Sequence, residues 1–466
     1  MSPFPRLRST AALLGVVAIT AFGIAECGRR SSAGDTQAVI TIPPPLPEPS
    51  TTDDRRLRFD PSELPKLSPA LPLDLHSSDE ATSPADHEHL AAFAWNTFVA
   101  LNWPVSPDGA PDPGQLPGEQ GDNATVWETW PEVSQIFRLD GRPPAPWGSP
   151  PDSGTWPAEL RDLPPGTRVL VRTGKHLSAF SPDASDAPLV DQNGRHVRLE
   201  VRVNRPVFDT IVALQLFRRD EQDAAGPIAF PVGAFPSPDI TTADAARSPG
   251  SIRVQAAWKV LSPAEIAAGR FHAVPAVLYT PPPTPDSGPG EIEHAIVGLV
   301  GLHIVRKTPN VPGWIWSTFE HVDNCPDANA PAERAAYNFY NKSAPALKPN
   351  QPPAPPWNPS AVEPVSRRPQ IVRHLPIPEH ARVVTAAYQA ALRAINPASP
   401  WQNYQLIGVQ TRNGTVASPD RLANTTLETY LAASAAPAAS CIDCHSRAAT
   451  TADAPADSVF LLRLAR

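Results

Sequence analysis

The motif that constrains this chain most is Cys441-Ile442-Asp443-Cys444-His445, near the end of its 466 residues. Two residues between the cysteines allow one helical turn, so both thiols face the same side and the histidine is carried beneath them. This spacing is typical of covalent haem attachment, in which two thiolates add to the porphyrin vinyl groups and the adjoining histidine binds iron. The sequence therefore predicts one haem c, held by Cys441 and Cys444, with His445 as the proximal iron ligand.

Other uses of a Cys-x-x-Cys pair each lack a necessary part here. A structural zinc site needs about four ligands, and the sequence has no second closely spaced cysteine or histidine pair. A thioredoxin-type pair opens a helix directly after an apolar strand, whereas residues 431–440 are mainly alanine and serine. A plain disulfide leaves the adjoining histidine unexplained. Haem attachment is the interpretation that uses all three residues.

The N-terminal residues have the pattern of a secretory signal, with Arg6 and Arg8 ahead of an apolar run over residues 11–24. We expect a signal peptide over 1–25 and a periplasmic protein, because c-type haem is attached on the oxidising side of a membrane.

Two cysteines lie outside the haem motif, Cys27 and Cys325. Residues 24–27 resemble a bacterial lipoprotein box, although Glu26 replaces the small residue expected before the cysteine, so membrane attachment through a lipid on Cys27 stays open beside the soluble form. If Cys27 remains after cleavage it can pair with Cys325; otherwise Cys325 is expected to be a buried lone thiol.

Composition and charge predict a large globular body with long connections. The hydrophobic content of 41% supports a sizeable core, and the 61 prolines favour extended loops. A net charge of −8 argues against nucleic acid as a partner, because phosphate binding requires a basic patch. We expect a Pro-rich disordered tether over 26–85, a body over 86–420 and a haem-attachment segment over 421–466.

The hydrophobic patterns predict an α+β fold, a mixed sheet with packed helices. Predicted helices cover 86–101, 204–214, 331–341 and 379–395, and predicted strands cover 252–260, 273–279, 294–305, 314–321 and 404–410. Within the first of these strands, apolar residues alternate with Arg253, Gln255 and Lys259, which indicates that only one face is buried.

Four segments of the body, together with the terminal haem motif, carry a resemblance to a known family. They are Gly298-Leu-Val-Gly-Leu-His-Ile-Val-Arg-Lys-Thr308, Trp314-Ile-Trp-Ser-Thr-Phe-Glu-His-Val-Asp-Asn324, Gln405-Leu-Ile-Gly-Val-Gln410 and Leu422-Ala-Asn-Thr-Thr-Leu-Glu-Thr-Tyr430. This combination resembles bacterial proteins described only as cytochrome c family proteins, from about Asp86 onward. The resemblance implies an exported single-haem protein and no particular reaction.

The position of the motif and the histidines bear on how the haem is held. Residues 446–466 are too few and too polar to cover a porphyrin, so we expect the haem segment to pack on the upstream body. Met1 is the only methionine, which excludes the usual methionine ligand once the signal is removed. His321 or His303, both in predicted strands, are the candidate second axial ligands, and some weaker group or an open iron stays possible.

Two function classes follow. A six-coordinate haem indicates electron transfer to a redox partner protein, whereas an open distal face indicates a haem enzyme or a sensor of small ligands. The long body, far larger than a simple carrier needs, allows a third possibility, in which it binds a partner and the haem serves as its redox group.

Overall fold

A mixed β-sheet, with its two longest helices on one face, forms the centre of the protein. The computed structural model describes residues 59–60, 62–72, 74–75, 84–119, 124–150, 156–171, 188–233, 249–282, 288–330, 332–344, 348–352, 368–413, 416–417, 421–430, 440–451 and 453–466. Within them the helices are α1 (Pro84–Leu101), α2 (Val133–Ile136), α3 (Arg205–Ala213), α4 (Arg219–Ala225), α5 (Pro263–Ala268), α6 (Glu379–Ile395) and α7 (Cys441–His445). The strands are β1 (Val169–Val171), β2 (Arg198–Val203), β3 (Ile252–Val260), β4 (Ala273–Thr280), β5 (Glu291–Arg306), β6 (Ile315–His321), β7 (Tyr404–Asn413) and β8 (Val416–Ala417).

The long strand β5 is the axis of this sheet. It pairs antiparallel with β3, β4 and β6, and β7 continues the sheet beyond β6. The pairing of β1 with β4 is parallel. Parallel and antiparallel pairs in one sheet with packed helices confirm the predicted α+β fold, and most predicted strands and helices agree with the observed ones within a few residues.

One face of the sheet is covered by α1 and α6. The Trp95 ring stacks on Tyr388 at 5.3 Å between centroids and meets Phe319 of β6 edge-on at 5.1 Å. Its indole nitrogen donates to the hydroxyl of Thr385 in α6 at 3.2 Å. Because α1 is apolar around most of its circumference, it is stable only when buried between α6 and the sheet.

The opposite face is covered by the chain that leads to the haem motif. At Gly301 of β5 an added Cβ would lie 2.0 Å from the Thr426 hydroxyl, so the segment 421–430 lies directly on the strand. Strand β3 is consequently buried on both faces, and the prediction of one exposed face was wrong for Arg253 and Lys259, which are 7% and 2% exposed. The alternating pattern could not show this, because the second cover comes from far along the chain.

The helix predicted over 331–341 is absent from the described part of that range. There the backbone is used for pairing with neighbouring loops: Asn338 N–H donates to Asp323, and Phe339 donates to Asn324 and accepts from Ile371. Such tertiary hydrogen bonds outweigh the weak helix preference of a short alanine-containing run.

Part of the predicted tether packs on the body. Leu75 is buried, and Asn310 binds both the Asp74 carboxylate and the Leu75 carbonyl, the latter at 2.6 Å. Leu67 and Leu71 also contact the main core. The described residues 62–72 and 74–75 are therefore attached, not an extended linker, while the predicted signal peptide over 1–25 lies outside the described residues.

Candidate haem-attachment site

The motif forms its own short helix, α7, on the sheet face opposite α1 and α6. Ser440 caps this helix, its hydroxyl accepting the N–H of Asp443 at 3.2 Å. Cys441 is buried against the body and Cys444 is half-buried. Neither is in a disulfide with any described residue. The geometry thus places two cysteine side chains within one helical turn, as attachment to two vinyl groups requires.

The end of β7 holds the start of α7 in place. Gln410 accepts the backbone N–H of Cys441 at 2.9 Å through its side-chain oxygen. Its side-chain nitrogen lies 3.4 Å from the Ser440 hydroxyl. Since Gln410 is buried and pairs directly with Trp316 of β6, the first cysteine is positioned by the rigid sheet.

His445 is oriented by a backbone carbonyl. Its Nδ1 lies 2.9 Å from the Ser458 oxygen, so Nδ1–H donates and the lone pair of the neutral ring is on Nε2. Asp457 and Ser458 both have positive φ, 47° and 61°. The Asp457 carboxylate binds Lys307 at 2.6 Å, which holds this strained turn. A metal-binding histidine typically has such a partner on its second nitrogen, and Nε2 is the nitrogen that haem iron requires.

Aromatic rings flank His445. The Trp316 ring is 4.3 Å away between centroids, and the Phe460 ring is 5.0 Å away. Such flat apolar surfaces suit contact with a porphyrin, which is large and apolar.

A buried arginine lies beside the first cysteine. The Arg253 guanidinium carbon is 5.5 Å from the centre of the Trp316 ring, and the side chain interacts electrostatically with Cys441. It forms no ion pair with any described residue, and burial lowers its pKa to about 10. A desolvated positive charge of this kind is costly unless a neighbouring group interacts with it.

In the structure, both ring nitrogens of His321 make hydrogen-bond contacts within the core, so this histidine is not arranged to bind iron. Its Nε2 lies 3.1 Å from the Arg270 carbonyl, and its Nδ1 accepts the Asp323 N–H at 3.2 Å. The ring stacks on Phe271 at 4.1 Å, and burial lowers its pKa to about 4. Both nitrogens are engaged, so iron ligation by His321 would require this core site to open.

His303 is on the motif side of the sheet. It lies two residues before Val305, the cross-strand neighbour of Trp316. Its Nε2 lies 3.0 and 3.1 Å from the two carboxylate oxygens of Glu428, in the segment that precedes α7. Its role as second ligand remains a prediction, and the contact seen here is with a carboxylate.

The residues that the structure describes contain no group of three or more His, Cys, Asp or Glu side chains that could hold a metal ion. Among their helices, none has the length and apolar character of a membrane span. Cys325 is buried, which raises the pKa of its thiol to about 12. Cys27 lies outside the described residues, so neither its pairing with Cys325 nor its lipidation is tested.

Sequence reasoning missed Arg253, Gln410 and Ser458. Arg253 was predicted at a polar position of its strand and Gln410 only as the end of a strand, whereas both side chains are buried. Ser458 acts through its carbonyl oxygen, for which the sequence has no signal.

Comparison with known proteins found no match for the chain among family models, curated proteins or solved structures.

Proposed function

We propose that the protein is an exported c-type cytochrome that binds one haem covalently through Cys441 and Cys444 and transfers electrons to a redox partner protein. His445 is the proximal iron ligand. The observation that carries the proposal is the contact between Nδ1 of His445 and the carbonyl oxygen of Ser458, at 2.9 Å. His445 directly follows Cys444, and both cysteines lie on the same helical turn. The site is proposed to act in the periplasm, either free or anchored through a lipid on Cys27.

The residues of the chain perform distinct tasks in this proposal. Gln410 holds the backbone of Cys441, and Ser440 caps the turn, so the two thiols are presented on one side. The Ser458 carbonyl keeps the proton of His445 on Nδ1. Bound haem would supply a one-electron centre on iron, and the sheet beneath would exclude water from one side of it.

A second candidate function is a haem enzyme or a sensor of small ligands. It is favoured by the hydrogen bonds of His321, both of whose ring nitrogens are engaged, and by the pairing of His303 with Glu428. If neither histidine binds iron, the sixth position is left to a weak or exchangeable ligand.

The test is the visible spectrum of the exported protein, oxidised and dithionite-reduced, with and without carbon monoxide. Low-spin bands that do not change with carbon monoxide would support electron transfer. A high-spin spectrum that shifts on carbon monoxide binding would support the second candidate. Absence of covalent haem after denaturation would contradict both functions.

Matched variants assign the attachment residues. Cys441→Ala and Cys444→Ala are each expected to lose one thioether bond, seen as a shifted pyridine haemochrome band, and the double variant to lose covalent haem. Cys325→Ala is the control, because that thiol is also buried but lies in the core away from the motif.

A further inference from the structure

A wide cleft lies away from the haem motif. Its volume is about 1600 Å³, larger than most small-molecule sites, and no residue of 440–466 lines it. Aromatic and proline side chains form much of its wall, among them Trp130, Trp147 and Trp401. Apolar walls of this kind bury the flat faces of a ligand.

Beneath one wall lies a chain of buried ionisable groups. The Glu128 carboxylate binds Arg168 at 2.9 Å and His272 at 3.1 Å. Glu200 in turn binds Arg168 at 3.3 Å and Arg202 at 2.6 Å. Two carboxylates and two guanidinium groups cancel, so the cluster presents no net charge to the cleft. Ionisable networks at the base of a cavity are characteristic of functional sites.

Glu128 is locked as an ionised carboxylate. Its second oxygen accepts both the N–H and the hydroxyl of Thr125, at 2.8 and 2.9 Å. Burial raises the pKa of Glu128, but the contacts with His272 and Arg168 outweigh it and hold the pKa well below its usual value. The carboxylate therefore acts as an acceptor for the proton on Nε2 of His272.

This contact sets the orientation and tautomer of His272. Its ring stacks on Trp401 at 4.5 Å, and its backbone N–H donates to the Tyr404 hydroxyl at 3.1 Å. With Nε2–H donated to Glu128, the lone pair of the neutral ring is on Nδ1, which has no hydrogen-bond partner among the described residues. His272 lines the cleft, and its side chain is 13% exposed. The cleft thus presents Nδ1 of His272 beside the Trp401 ring.

We propose that this cleft binds an uncharged aromatic alcohol of the phenol class, whose hydroxyl donates to Nδ1 of His272. A charged ligand gains little from the buried cluster, because its two carboxylates and two guanidinium groups neutralise one another. A sugar would need many hydrogen-bonding groups, whereas Arg168, Arg202 and Glu128 are engaged among themselves. The inference does not depend on haem at the motif.

The test is isothermal titration calorimetry of the full exported protein with 2-naphthol and with 2-methoxynaphthalene, which has similar shape but no hydroxyl proton. We expect 2-naphthol to bind about five- to tenfold more tightly, the usual effect of one hydrogen bond. Equal affinity for the two compounds, or no saturable binding of 2-naphthol, would overturn the proposal.

Variants separate the acceptor from the wall. In His272→Phe, which retains a ring against Trp401, the preference for 2-naphthol should disappear while 2-methoxynaphthalene binds within about twofold of wild type. Trp147→Ala, at a half-buried wall position, should weaken both compounds to the same extent. An unchanged preference in His272→Phe would refute the role of Nδ1.

A measurement on the wild-type protein covers the case in which His272→Phe does not fold. Nitrogen-15 NMR of the histidine rings should show 2-naphthol shifting Nδ1 of His272, with little change at Nε2. A shift confined to other histidines would place the ligand elsewhere and overturn the proposal.

Discussion

Arg253 places a positive charge inside the protein beside the proposed haem thiol. Because it lacks an ion-pair partner among the described residues, its field acts on its surroundings with little local compensation. A nearby positive charge disfavours the oxidised, more positive iron centre, by roughly 1–2 kcal/mol at an effective dielectric constant of about 20.

We therefore predict that Arg253→Met lowers the reduction potential of the haem. For a one-electron couple, about 60 mV corresponds to a tenfold change in the equilibrium constant between oxidised and reduced haem. Arg253→Lys should retain most of the wild-type potential. The control is Arg306→Met, since Arg306 is equally buried but lies over Phe93 on the α1 face. Potentiometric titration of the visible bands gives all three values; equal shifts for Arg253→Met and Arg306→Met would contradict a local effect.

His321 should make stability depend on pH. Burial lowers its pKa from 6.5 to about 4, so the unfolded chain binds more protons than the folded chain between these values. The contribution of His321 to the free energy of unfolding is fully present above about pH 6.5 and decreases as the pH falls toward 4. The expected loss between pH 7 and pH 5 is about 2 kcal/mol.

Urea unfolding at pH 7 and pH 5 checks this contribution. His321→Gln should show a smaller difference between the two pH values than wild type. His294→Gln, a change at an exposed strand histidine, should leave the difference as it is. If His321→Gln retains the full wild-type difference, other groups are responsible for it.

At the scale of elements, the contact between β5 and the segment 421–430 depends on the absence of a side chain at Gly301. A Cβ there would meet the Thr426 hydroxyl at 2.0 Å and the Asn424 side-chain oxygen at 3.1 Å, and both neighbours are held by hydrogen bonds. We predict that Gly301→Ala lowers the free energy of unfolding by about 1–3 kcal/mol, the usual cost of overpacking.

Gly408 in β7 provides the comparison. An added Cβ would approach only the Leu422 side chain, its Cδ1 at 2.8 Å. This methyl group can rotate away, so Gly408→Ala should cost less than Gly301→Ala in denaturant unfolding. The reverse order would mean that the segment 421–430 shifts freely on the sheet.

Local patterns predicted the elements whose hydrogen bonds are local or between adjacent segments. Helix α3 follows its Asn204 cap within the predicted range 204–214, and α6 covers the predicted residues 379–395. The range 331–341 failed because its backbone binds loops elsewhere in the chain. Helix signals are thus reliable here where an apolar face is present, as in α3 and α6, and weak in the range 331–341, where tertiary hydrogen bonds compete.

The sequence could propose the residues of the candidate site but not their support. Cysteine and histidine spacing is what points to Cys441, Cys444 and His445, since the proposed chemistry depends on positions along the chain. Arg253 and Gln410 reach the site through strand register, which a single sequence does not specify. Long-range register also decides which face each strand histidine occupies.

At the scale of the whole molecule, the Cys-x-x-Cys-His motif contributes little to the main core. The described residues from 59 onward belong to one compact unit, and its main cluster comes from the sheet, α1 and α6. Of α7, Cys441 joins that cluster and Ile442 packs against it. The motif therefore supplies a small share of the buried apolar surface, and the body should not require haem to fold.

We predict that the double variant Cys441→Ser/Cys444→Ser folds without covalent haem. Its far-ultraviolet circular dichroism should match that of the haem-bearing protein, with cooperative urea unfolding at a free energy lower by about 1–3 kcal/mol, the usual range for changes at buried positions. Loss of near-ultraviolet signal together with binding of a hydrophobic dye would contradict the prediction and indicate a molten state. Because the protein's own hydrogen bonds hold Ser440, Cys441 and the turn at Asp457, attachment would then take place on a folded surface.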